Sequence, residues 1–119
     1  MNDQLPDCCD ISKIQRVKAE LPDLAILSLM SGLFSSLGDN TRLNIVLALS
    51  KNEMCVHELA VTVDSTTSAV SHQLRKLKDK SIVDSRREGQ VKFYKLTDER
   101  IRQMLDLVLD FELTAKTVH

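Results

Sequence analysis

The sequence predicts a mainly α-helical fold with a small β-hairpin, and three observations predict it. Val56, Leu59, Ala60 and Val63, then Val70, Leu74 and Leu77, make two consecutive apolar stripes at helical spacing, joined by the short polar link Asp64-Ser65-Thr66. Residues 82–87 and 91–96 read as two strands around Glu88-Gly89-Gln90, hence a hairpin. The segments 24–37 and 101–111 are helical in period but apolar on more sides than one small domain covers. Two short helices joined by a tight turn and followed by a basic hairpin describe a winged helix-turn-helix. The surplus apolar surface adds a homodimer.

Residues 1–23 read as an N-terminal arm with a short helix, and residues 24–119 as one dimeric DNA-binding domain, in keeping with a chain of 119 residues. The arm carries Asp7-Cys8-Cys9-Asp10. Ser12 is the expected cap of a helix ending at Glu20, and Pro22 interrupts the chain before the next helix. Leu24 to Leu37 is a long helix closed by Gly38. Asp39 then caps a helix from Asn40 to Ser50 that turns Leu43, Val46 and Leu47 inward. Beyond the hairpin, Thr97 is the expected cap of the last helix, with Asp98 and Glu99 favourably placed in its first turn. Ile101, Met104, Leu105, Val108 and Leu109 form its stripe, and it is paired with the Leu24–Leu37 helix as the dimer interface.

The formal net charge is −1, which taken alone argues against a nucleic-acid partner. The distribution argues for one. Between Thr66 and Leu96 eight bases stand against three acids, a local balance of +5, and phosphate responds to the local patch. Opposite the Val70-Leu74-Leu77 stripe lie Ser68, Ser71, His72 and Arg75, a polar and nearly acid-free face suited to a DNA major groove, with Arg75 able to read a base edge. Arg86, Arg87 and Lys92 are the expected DNA contacts of the hairpin wing. The bland alternative is an amphipathic helix with a solvated face.

Three cysteines, Cys8, Cys9 and Cys55, are too few for a secreted disulfide framework. With no 18-residue apolar run and no signal-peptide pattern, the expected location is the cytoplasm, without membrane association. Reduced thiols there are small hydrophobes, redox sites or ligands for soft ions such as zinc, cadmium and lead. In a regular helix Cys55 and His57 would point about 200° apart and could not share an ion. In an extended or capping segment they point the same way. Chelation by both therefore needs them at the very start of the helix. Cys8 and Cys9, delivered by the arm, would complete a tetrahedral site; adjacent cysteines share one ion only with some strain, and the other arrangement is one of them with Asp7, Asp10 or water. The alternative is a buried Cys55, a capping His57 and two idle thiols.

Four runs of this chain resemble the signature runs of the ArsR/SmtB metal-sensing repressors: Leu37-Gly38-Asp39-Asn40-Thr41-Arg42-Leu43, Glu53-Met54-Cys55-Val56-His57-Glu58-Leu59-Ala60, Ser68-Ala69-Val70-Ser71-His72-Gln73-Leu74 and Arg86-Arg87-Glu88-Gly89. Order and spacing match as well as composition, over residues 24–110. The resemblance implies a dimeric winged-helix repressor that leaves an inverted-repeat operator when metal binds. It further implies a thiolate-rich site at Cys55 and the next-but-one position, with arm cysteines matched loosely by Cys8 and Cys9. That next position is normally a second Cys and here is His57, which makes the site less soft. The family's other metal site, Asp-x-His and then His-x-x-Glu on the last helix, meets Asp98-Glu99-Arg100, Phe111 and Thr114, so no site is expected there.

The functional expectation is a metal-responsive transcriptional repressor with zinc, cadmium or lead as effector. Its alternative is a repressor of the same fold that senses oxidants or arsenite through thiols. No glycine-rich phosphate loop, nucleophile elbow or inward-facing carboxylate pair speaks for an enzyme. A winged-helix protein–protein module is the remaining rival.

Overall fold

The computed structural model describes residues 5–118 and divides into two compact units, 1–31 and 32–119, with the boundary inside a helix. Among the described residues of the first unit lie α1 (Ile11–Glu20) and the start of α2 (Leu24–Leu37). Asp10, not Ser12, caps α1: its carboxylate accepts from the Lys13 backbone N–H at 3.1 Å. Aspartate at this position also favours the positive helix end, so it outcompetes a serine already inside the first turn.

The second unit holds the remainder: α3 (Asn40–Leu49), β1 (Met54–Cys55), α4 (Val56–Thr62), α5 (Thr67–Asp79), β2 (Val83–Glu88), β3 (Val91–Leu96) and α6 (Glu99–Val118). Its core is aliphatic. Ile45, Val46, Leu59, Val70, Leu74, Leu77, Ile82 and Val83 are essentially sealed from solvent, joined by Leu37, Leu49, Ala60 and Leu105. Asp39 caps α3 through the Arg42 backbone N–H (3.0 Å), as the sequence predicts. The α4–α5 link turns at Asp64, whose φ is +53°, a left-handed position that Asp tolerates better than most residues. Thr66 then caps α5 by accepting from the Ala69 N–H at 3.1 Å.

The sheet has three strands in the order β1-β3-β2, all antiparallel. The sequence predicts only β2 and β3. Two residues of β1 are too few to carry a period, so this strand is visible only through its pairing with Tyr94 and Phe93. Gly89, at φ +65°, makes the two-residue turn between Glu88 and Val91. Thr97 does not cap α6. Its hydroxyl donates to the Ser81 and Ile82 carbonyls (2.7 and 3.2 Å), and Asp98 takes the capping role instead.

No single helix among the described residues is long and apolar enough to cross a membrane. Large apolar side chains stay exposed on α2 (Leu24, Leu29, Phe34) and on α6 (Leu107, Val108, Phe111).

Candidate nucleic-acid interface and metal site

The helix α5 buries Val70, Leu74 and Leu77, which leaves Ser68, Ser71, His72 and Arg75 exposed together on the other side. Four expected DNA contacts therefore share one accessible face. Arg42 orients this helix. Its Nε donates to the Ser36 carbonyl (2.8 Å) and its guanidinium to Gln73 Oε1 (3.2 Å), tying α5 to the end of α2. An Arg three residues after a capping Asp gives no hint of a partner 31 positions away.

Strand alternation divides the expected wing contacts between two faces. Val83, Ser85 and Arg87 on β2 oppose Leu96, Tyr94 and Lys92 on β3, and this row continues to Met54 on β1. It is the face packed on the core near its inner end, where Val83 is buried and Met54, Tyr94 and Leu96 pack against the cluster. It is also the α5 side: Lys78 Nζ of α5 donates to Ser85 Oγ at 3.0 Å. Arg87 and Lys92 thus extend the α5 face outward, with Lys92 Nζ 5.9 Å from the Tyr94 ring centre.

Arg86 belongs to the other face. It shares a row with Phe93 and Cys55, and its guanidinium lies over the Phe93 ring at 5.0 Å. Arg86 Nε donates to Glu53 Oε1 at 3.0 Å and a terminal nitrogen pairs with the same oxygen at 2.9 Å; Glu88 lies at 3.3 Å. The hydrogen bond to Glu53, then that to Glu88, raises the Arg86 pKa above the ordinary arginine value. The sequence groups Arg86 with Arg87 and Lys92 as DNA contacts; the structure gives it carboxylate partners on the opposite face.

Cys55 is the last extended residue before α4, at φ −82° and ψ 170°, and occupies its N-cap position. His57 is therefore the second helical residue, exposed, while Cys55 is half-buried. Glu58 Oε1 accepts from the Cys55 backbone N–H at 2.9 Å and so holds the strand-to-helix junction. Cys8 and Cys9 lie in the first unit, both as free thiols, with their Sγ atoms 3.8 Å apart. Two thiolates on one tetrahedral ion at a metal–sulfur distance of about 2.3 Å would stand about 3.8 Å apart, so this vicinal pair fits a shared ion. Among the described residues, no three of His, Cys, Asp and Glu are gathered into a formed metal cluster.

At the start of α6 the Arg100 guanidinium binds the Asp98 carboxylate at 2.6 and 3.0 Å, and the Arg100 backbone N–H adds a bond of 2.8 Å. These donors hold the Asp98 pKa down at about 2. Arg102 pairs with Glu99 and with Asp106 (3.0 Å).

Comparison with known proteins follows the same lines. Residues 39–85 match the family model described as bacterial regulatory protein, arsR family. The chain is 34% identical to a transcriptional repressor SmtB homolog of Synechocystis over 92% of its own length and 86% of the relative's. It is 32% identical to a cadmium resistance transcriptional regulatory protein CadC of Listeria innocua, covering 94% of this chain and 96% of that one. A homodimeric winged helix-turn-helix DNA-binding domain from Mycobacterium bovis superposes with a TM-score of 0.76 at 25% identity, covering 85% of this chain and 95% of that one.

Proposed function

This chain belongs to the arsR family of bacterial regulatory proteins, and we propose that it is a cytoplasmic, metal-responsive repressor that binds operator DNA as a homodimer. DNA lies against Ser68, Ser71, His72 and Arg75 of α5, with Arg87 and Lys92 on the adjoining wing face. The effector is zinc, cadmium or lead, held by Cys55 and His57 with Cys8 and Cys9 from the arm. A relative that regulates cadmium resistance supports a soft effector, as does a donor set of three thiols and an imidazole.

The observation that carries this reading is the position of Cys55. It stands at the N-cap position of the first helix of the helix-turn-helix and pairs with the central wing strand, so the helix that leads into α5 and the wing meet at one residue. A bound ion would supply a cross-link between the arm and this junction. Repression is relieved because the ion binds the DNA-free protein more tightly than the DNA-bound one, a coupling typically of about 1–3 kcal/mol.

The test is a metal titration of the reduced protein, read by thiolate charge-transfer absorbance and by operator affinity. Cys55→Ser should keep metal-free operator binding and lose the response to metal. Cys8→Ser and Cys9→Ser should each lose part of it. A Cys55→Ser variant that still leaves DNA on adding zinc, cadmium or lead puts the site elsewhere.

A further inference from the structure

We infer that the Glu53–Arg86 ion pair is the link that carries occupancy of Cys55 to the wing, with Arg86 a positioning residue. The inference rests on the proposed effector site at Cys55 and assigns the route by which that site acts.

Three contacts converge on it. Cys55, Phe93 and Arg86 form one cross-strand row on the outer face of the sheet, so a displacement of β1 at Cys55 reaches β2 through a single intervening residue. Phe93 stacks beneath the Arg86 guanidinium at 5.0 Å. Glu53, two residues before Cys55, spans β3 to hold Arg86 with bonds of 2.9 and 3.0 Å from two guanidinium nitrogens. Backbone pairing of β1 is only two residues long, Met54 with Tyr94 and Cys55 with Phe93. So short a ladder is a weak fastening, and the side-chain pair closes it at the outer edge. The strand that carries the thiol is thereby fastened to the strand that carries Arg87, the next residue along and on the DNA-facing side.

The experiment compares Glu53→Gln with Glu88→Gln in the full-length protein. Each removes one acid from Arg86 and changes net charge equally, but only Glu53 joins Arg86 to the Cys55 strand. For each variant, zinc or cadmium binding is read by thiolate absorbance, and operator affinity is measured with and without the metal. Glu53→Gln should bind metal with the wild-type spectrum, while the ratio of its two operator affinities falls about twofold to fivefold, the range of an exposed ion pair. Glu88→Gln should keep the wild-type ratio. An unchanged ratio in Glu53→Gln, or an equal fall in both variants, overturns the inference. Metal-induced thiolate absorbance that is unchanged in Cys55→Ser refutes the effector site itself and the inference with it, and the absorbance distinguishes that result from a failed link.

Discussion

Arg87 is the cross-strand partner of Lys92 on the wing, two cationic residues at one register position. Such a pair is unfavourable in a free sheet, so its placement points to an anionic partner, and the partner this fold offers is the DNA backbone. Arg87→Ala and Lys92→Ala should each weaken binding to operator and to unrelated duplex by the same factor. Each should lower the slope of log affinity against log salt by about 1. Measured slopes equal to that of the wild type would remove the pair from the interface.

Arg75 is expected to behave differently, because it sits on the recognition helix rather than the wing. Its replacement by Ala should cost about 1–3 kcal/mol with operator DNA, and less with unrelated DNA, where no base edge is matched. Equal losses on both would make it a phosphate contact. Gln73→Ala tests the support of this helix: it removes the acceptor for Arg42 without touching the exposed face. It should weaken specific binding less than Arg75→Ala does, with little effect on unrelated duplex.

The helices that build the site were legible because each buries one side: Val56, Leu59 and Ala60 fall on α4, with Val63 at its C-cap, and Val70, Leu74 and Leu77 fall on α5. The exposed α5 face follows from those stripes by geometry. Two features were not legible. The strand β1 is fixed by tertiary pairing with β3, a contact between residues 54–55 and 93–94 that leaves no local pattern. The division of Arg86 from Arg87 depends on strand register, since a shift of one residue exchanges the faces. The three wing cations therefore look equivalent in sequence and are not equivalent in space. The caps show the same limit: Ser12 and Thr97 are good capping residues, but Asp10 and Asp98 hold the bonds.

The apolar side chains exposed on α2 and α6 predict a homodimer. Leu29 is 71% and Phe111 68% exposed in the single chain, more than a soluble monomer leaves open on two helices. Sedimentation at micromolar concentration should give a dimer with and without DNA, and the operator should be an inverted repeat with one half-site per subunit. Phe111→Glu should shift the protein toward monomer while the far-ultraviolet helix signal stays near that of the wild type. A wild-type monomer under both conditions would contradict the dimer.

Asp98 offers a test at the start of α6. Its carboxylate is held at about 2, first by the Arg100 side chain and then by the Arg100 backbone N–H. That value lies below the ordinary aspartate pKa of about 3.9, so the pair stabilises the folded state fully at pH above that ordinary value. The contribution disappears as pH falls from there through about 2. Arg100→Gln should raise the Asp98 pKa measured by NMR, yet leave it short of the ordinary value, because the backbone donor at 2.8 Å remains. An unmoved pKa in Arg100→Gln would assign the whole depression to the backbone. The same spectra report on metal: with Arg100 occupying the carboxylate, added zinc should leave the Asp98 titration unchanged while it alters the signals of Cys55 and His57. A zinc-dependent shift at Asp98 would instead make the start of α6 part of the effector response.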